Sequence, residues 1–257
     1  MGKVITFSLQ KGGTGKSTTS GITSYILSQQ GYKVLAVDLD SQGNLGELLS
    51  QRDIYDFYQK TILEALKEKD PRNYIYKIND NLHLIPSEDH LATFSRYLYT
   101  EVKTNNPLEH SLILKETLDK VIDEYDFIIL DTPPALGDIT INAFSASDYI
   151  VAMFETSKFA YSALSRFLET IVHVQEKVNP KLEVIGILAT MIDSRRSDSK
   201  AFIELIQEEY KDLVFDTIIK RKAATGRLSI NGFFDNPEIN DAIEQYTDFV
   251  EELKARV

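Results

Sequence analysis

The chain has 257 residues, 43% apolar and 26% charged, with 28 basic against 39 acidic side chains and a net charge of −11. It has no cysteine, which excludes a disulfide framework, a thiolate zinc site, an iron–sulfur cluster and a cysteine nucleophile; His83, His90, His110 and His173 form no pair at metal-ligand spacing. No apolar run approaches the roughly 18 residues of a membrane span, and the N-terminal MGKVITFSLQ reads as a strand rather than a signal peptide. A cytosolic globular protein is expected, and one whose acidic excess repels nucleic acid and anionic membrane except at a local basic patch.

In chain order, strand-length apolar runs fall at Lys3–Leu9, Lys33–Asp38, Leu82–Ile85, Phe127–Leu130, Tyr149–Phe154, Val184–Ala189 and Phe215–Ile219. Most are near-continuous Val, Ile, Leu and Phe, the pattern of strands buried on both faces. Amphipathic stretches at Lys16–Gln30, Tyr55–Lys69, Ser111–Glu124, Tyr161–Lys177, Ser199–Tyr210 and Asn240–Ala255 predict helices between them. This alternation predicts an α/β fold, a doubly wound, mostly parallel sheet with helices on both faces. No repeat or low-complexity tract interrupts it, and the tyrosine-rich Gln51–Pro107 reads as an excursion at one sheet edge. One domain over residues 1–257 is expected. The aromatics of that excursion fall at helical spacing with few basic residues between them, which suits core packing or a partner surface better than base stacking.

The stretch from Leu9 to Thr18, LQKGGTGKST, follows the first strand and opens the first predicted helix. Glycines at 12, 13 and 15 let the backbone curl towards phosphate oxygens, and the amides of Gly12, Gly13, Thr14, Gly15 and Thr18 with the helix N-terminus favour an anion. Lys16 supplies a cation for β/γ-phosphates and the Ser17 hydroxyl a ligand for Mg²⁺. The first glycine of the usual G-x-x-x-x-G-K-[ST] pattern is Gln10 here, and an additional lysine stands at Lys11. Two carboxylates, Asp38 and Asp40, end the second strand, and Asp131 ends the fourth.

Lys11-Gly12-Gly13-Thr14-Gly15-Lys16-Ser17 resembles the deviant Walker A motif of the ParA/MinD ATPases, whose hallmark is a signature lysine at the position of Lys11. VDLDSQGN at 37–44 resembles that family's D-x-D-P-Q-G-N segment, with Ser41 for the proline, and YDFIILDTPP at 125–134 resembles its Walker B strand. Met153-Phe154 stands where a proline usually ends a later strand. The resemblance implies the P-loop fold, ATP and Mg²⁺ as ligands, and slow, partner-stimulated hydrolysis in an ATP-dependent sandwich homodimer. It implies that Lys11 reaches the partner's phosphates, that Asp40 orients the attacking water, and that Asp38 and Asp131 lie at the Mg²⁺ with Ser17. Turn formation at a loop start is the plainer role open to Asp38 and Asp40. Adenine contacts are expected late in the chain, near Met191 and 219–222.

Within the family, the D-L-D-S-Q-G-N segment and the basic cluster Lys220, Arg221, Lys222 and Arg227 resemble the DNA-partition branch. That implies non-specific nucleoid DNA and a ParB-like centromere-binding protein as partners, and a nucleoid-associated location. A solvated loop or nucleotide-edge contacts would suit the same cluster, and Arg195, Arg196 and Lys200 form a second, sparser one. The alternative is a MinD-like ATPase cycling on a membrane or protein scaffold. The last helix opposes membrane binding: its polar face carries Asp241, Glu244, Asp248, Glu251 and Glu252 against Lys254 and Arg256. Nothing in the tail suggests a terminal tyrosine cluster of kinase type, and, with the phosphate loop starting ten residues in, no N-terminal helix-turn-helix domain is expected.

Overall fold

The computed structural model describes residues 2–9, 11, 13–192, 197–233 and 237–257; Gly12, Arg195 and Arg196 lie outside them. The strands are β1 (Lys3–Ser8), β2 (Val34–Asp38), β3 (Tyr76–Lys77), β4 (Leu82–Ile85), β5 (Phe127–Asp131), β6 (Tyr149–Glu155), β7 (Glu183–Ile192) and β8 (Val214–Lys220). They form one sheet in the order β3-β4-β2-β5-β1-β6-β7-β8, parallel throughout except for the short β3, which runs antiparallel to β4 at one edge. The doubly wound sheet predicted from the alternation is the observed one. All seven predicted strands are present to within three residues at either end; β3, only two residues long, carries no apolar run.

The near-continuous apolar strands are explained by the two cores they serve. Val4, Leu35, Val37, Ile128 and Leu130 point into one core, and Ile5, Phe7, Val34, Ala36, Phe127 and Ile129 into the other. This is the period-2 alternation of a strand whose two faces are both apolar. The helices are α1 (Lys16–Gln29), α2 (Asn44–Ser50), α3 (Ile62–Glu68), α4 (Phe94–Thr100), α5 (Ile113–Leu118), α6 (Asp138–Ala146), α7 (Lys158–Lys177), α8 (Ser197–Tyr210), α9 (Ala223–Asn231) and α10 (Pro237–Arg256). Helices α1, α2, α9 and α10 pack on the second core and α3 to α8 on the first. The apolar face of α10 is spent on the sheet: Tyr246, Phe249, Val250 and Leu253 are buried there. No helix among the described residues is long and apolar enough to cross a membrane.

Two predicted helices are shorter than expected. Tyr55–Lys69 breaks into a 3₁₀ turn at Ile54–Phe57 and α3, because Gln59 takes a positive φ of 57° and Thr61 starts a new helix. Thr61 accepts from Leu63 N while Glu64 reaches back to Thr61 N, a capping box that fixes the start of α3. Ser111–Glu124 likewise reduces to α5 between two 3₁₀ turns. Of the tyrosine-rich stretch, Phe57, Tyr74 and Phe94 are buried, whereas Tyr55, Tyr58 and Tyr99 are more than half exposed.

Candidate functional site

The C-terminal ends of β1, β2 and β5, adjacent in the sheet, bring the predicted phosphate loop and carboxylates together. In this fold class such an edge is where ligands bind. Gly13 and Gly15 adopt positive φ, 76° and 78°, so the loop winds in a way that side-chain-bearing residues resist. Gly15 is also the residue before α1, and no side chain caps that helix and its first turn holds no acid. The first amides of α1 are therefore left for an anion. From β7, the Thr190 hydroxyl donates to Thr14 O at 2.8 Å and fixes the loop from the side. Met191 takes a positive φ of 58°, and its Cγ and Sδ come within 3.5 Å of where a Cβ on Gly15 would lie. The residue expected near adenine thus covers the phosphate loop itself.

Lys16 is 7% exposed and its Nζ donates to Lys11 O at 3.0 Å, folded across the loop. Burial pulls its pKa down, opposed by the charges of Asp131 and Asp40. Asp38 and Asp131 are fully buried and stand opposite each other in the β2–β5 register. Burial pushes the Asp131 carboxyl up to about 6, against the pull of the Ser17 hydroxyl, the Lys16 charge and the Ser20 hydroxyl. Ser20 donates to Asp131 Oδ1 at 3.1 Å, whereas Oδ2 is buried without a hydrogen-bond partner. Asp38 is raised well above the usual carboxylate range, first by burial and then by the charge of Asp131. Asp40 is half-buried and lines a cleft of about 410 Å³ with residues 13–18, Asn44, Glu47, Leu48, Pro134, Thr225, Gly226 and Ser229.

These residues fit a magnesium nucleotide. The buried, unpartnered Asp131 Oδ2 beside Ser17 is an acceptor lacking a ligand, and the uncapped glycine loop with Lys16 matches a polyphosphate. Among the described residues, no three His, Asp or Glu side chains form a cluster able to hold a metal unaided. That is the situation of Mg²⁺ sites completed by substrate phosphates and water.

Lys11 does not line this cleft. Its Nζ is ion-paired with Glu155 at the end of β6 and lies 3.1 Å from Ser157 Oγ, the residue whose hydroxyl also caps α7 at Ala160 N. Nothing local to the loop foretells these partners.

A profile of the family described as "AAA domain" matches residues 2–184. Over 262 aligned residues the chain is 33% identical to the sporulation initiation inhibitor protein Soj of Bacillus subtilis strain 168, with 99% of each chain covered. The chain belongs to the ParA/Soj family of partition ATPases.

Two solved structures place this ParA-family fold beside bound nucleotides. A cobyrinic acid a,c-diamide synthase of Mycobacterium smegmatis, bound to an ATP analogue and magnesium, matches with TM-score 0.83 and 27% identity, covering 99% of this chain and 95% of that one. A plasmid partition protein of Borrelia burgdorferi B31, bound to AMPPNP, matches with TM-score 0.82 and 28% identity, with both chains covered in full.

The late basic cluster is divided by the ParA-type fold. Lys220 and Arg221 are exposed where β8 ends, and Arg227 is carried on α9. Lys222 is different: its Nζ donates to Asp241 Oδ2 at 2.9 Å and to Asp241 O at 2.7 Å, so its charge is offset locally. Helix α9, unanticipated in the sequence reading, puts Thr225, Gly226 and Ser229 on the cleft. Thr225 and Ser229 stand four apart, one face of a helix, and that spacing was the available signal.

Proposed function

We propose that this chain is an ATP hydrolase of DNA segregation: it binds ATP with magnesium, forms a sandwich homodimer, binds non-specific DNA, and is released by hydrolysis that a ParB-like partner stimulates. The observation that carries the reading is the pairing of an uncapped glycine loop with a signature lysine whose side chain does not line that loop's cleft and is ion-paired with Glu155 instead. Kinship with Soj over the whole chain supports partition over the small-molecule ligases that share the fold. Magnesium, when bound, supplies charge that neutralises the β/γ-phosphate oxygens. Lys16 binds those oxygens, Ser17 and Asp131 hold the metal side of the site, and Asp40 orients a water on the open side of the cleft. Lys11 reaches the partner subunit's nucleotide once it leaves Glu155. Closing the second subunit over the cleft excludes bulk water from it. One domain over residues 1–257 carries all of these steps.

The deciding experiment is duplex-DNA binding titrated with salt in the presence of ATP, ADP or no nucleotide. ATP-dependent binding that weakens steeply with salt is expected. Arg221→Glu is expected to weaken it at least about 10-fold and to flatten the log–log salt slope by about 2, one phosphate contact per subunit of a dimer. No DNA binding in any nucleotide state removes the partition reading and leaves the ATPase.

The Lys11–Glu155 pair provides a second test. Its side chains are 31% and 26% exposed, so the pair is screened and its removal is worth about 0.5–1 kcal/mol. Glu155→Gln is expected to release Lys11 in both subunits and lower the protein concentration for ATP-dependent dimerisation by about 5- to 30-fold, as read by light scattering. A higher concentration requirement contradicts the assignment of Lys11 to the partner's site.

A further inference from the structure

We propose that Asp38 is a positioning residue for the hydrolytic step, holding the Asp40–Gly46 loop in the shape that presents Asp40 to the cleft, and not a magnesium-side residue. The proposal rests on the reading of Asp40 as the water-orienting group, and it departs from the role the family resemblance implies for Asp38.

Both oxygens of Asp38 are already committed to main-chain amides. Oδ1 accepts from Asp40 N at 3.0 Å and Oδ2 from Gly46 N at 2.9 Å, with the side chain fully buried. These two donors lie at opposite ends of the loop that carries Asp40, so a single carboxylate closes it. The second contact has a clear local reason. Helix α2 begins at Asn44 after Gly43, which has a positive φ of 65° and no side chain to cap the helix. Gly46 is the third residue of α2, and its amide is the one an N-cap side chain would ordinarily satisfy. Asp38 supplies that acceptor from β2, eight residues earlier. Two further bonds tighten the same turn: Gly43 N donates to Asp40 O at 3.0 Å, and Gln42 N to Asp40 Oδ1 at 3.1 Å.

Asp131, its neighbour across the β2–β5 register, has the opposite accounting. One oxygen is bonded to Ser20 and the other is buried without a partner. Two adjacent buried carboxylates thus divide the work: Asp131 keeps one oxygen wholly unbonded for a ligand, whereas each oxygen of Asp38 already holds a main-chain N–H in place.

The test is Asp38→Asn, which preserves size but replaces one acceptor with a donor facing a backbone N–H. Hydrogen–deuterium exchange of the nucleotide-free, magnesium-free protein is expected to rise at amides 40–46 by at least about 10-fold and to stay unchanged in β1, β5 and β6. A metal-side residue would leave those amides unmoved when no metal is present. In steady-state hydrolysis, kcat is expected to fall about 10- to 100-fold, as misplacement of a catalytic group does, with the magnesium concentration for half-maximal rate changed less than about 2-fold. Turnover restored by excess magnesium overturns the proposal, as does exchange that rises throughout the sheet, which makes Asp38 a plain core residue. Failure of the underlying reading is separately visible, as full turnover in Asp40→Ala with the Asp38→Asn exchange result intact.

Discussion

Lys16→Ala is expected to leave a folded protein with ATP hydrolysis reduced by at least about 10³-fold and ATP affinity by about 10²-fold, the scale at which fixed charges act on phosphoryl groups in water-poor sites. In the free protein the Lys16 ammonium is nearly buried and donates a hydrogen bond to a neutral carbonyl, that of Lys11. Burial lowers its pKa, so the surroundings penalise the charge, and Asp131 and Asp40 only partly offset this. A buried cation held that way gains most when an anion arrives, because the incoming oxygens replace the hydration it gave up. Removing the side chain costs the fold less than the ligand. The carbonyl of Lys11 loses one donor at the open mouth of the loop, while Gly13, Gly15 and the Thr190 clamp on Thr14 remain. Binding of a fluorescent ATP analogue and phosphate release measure the two effects separately. Retention of half the parental turnover would remove Lys16 from the proposed mechanism.

What was legible in the sequence follows from how locally each feature is determined. The phosphate loop needs glycines, a lysine and a hydroxyl residue at fixed spacing between a strand and a helix, so a ten-residue window contains the whole argument. The sheet was legible because strands buried on both faces become continuous apolar runs, here divided residue by residue between two cores. The short helices α2, α4, α6 and α9 were not. Two turns of helix carry little periodicity, and α2 draws its cap from Asp38 on a strand instead of from Gly43 beside it. The same non-locality hid the state of the charges. Lys222 reads as part of a basic cluster until α10 brings Asp241 against it, and Lys11 reads as a lysine directed at phosphate until β6 brings Glu155. Ionic partners far apart in the chain are set by topology, and no window of sequence contains both.

Asp40→Ala is expected to preserve ATP binding within about 3-fold and to lower turnover by about 10²-fold or more, the usual loss when a group that positions or deprotonates the attacking water is removed. The structure explains why this substitution separates chemistry from shape. The bonds that close the loop at this residue use its main chain: Asp40 N donates to Asp38 and Asp40 O accepts from Gly43 N, and alanine keeps both. Only the contact from Gln42 N to Asp40 Oδ1 is lost, at an exposed turn where water can replace it. The nearby charges change in two opposing ways: Lys16 loses one of the two carboxylates that favour its ammonium, while Asp131 gains. Asp40 is one of the groups that raises the Asp131 carboxyl, so its removal eases ionisation of the residue left to face a metal. A variant that binds but does not hydrolyse should therefore accumulate in the ATP state, and its retention on DNA should lengthen in proportion to the lost turnover. Measuring phosphate release and DNA dissociation on the same preparation joins the two ends of the proposed cycle. Slow turnover with unchanged DNA lifetime would show that hydrolysis is not what ends DNA binding.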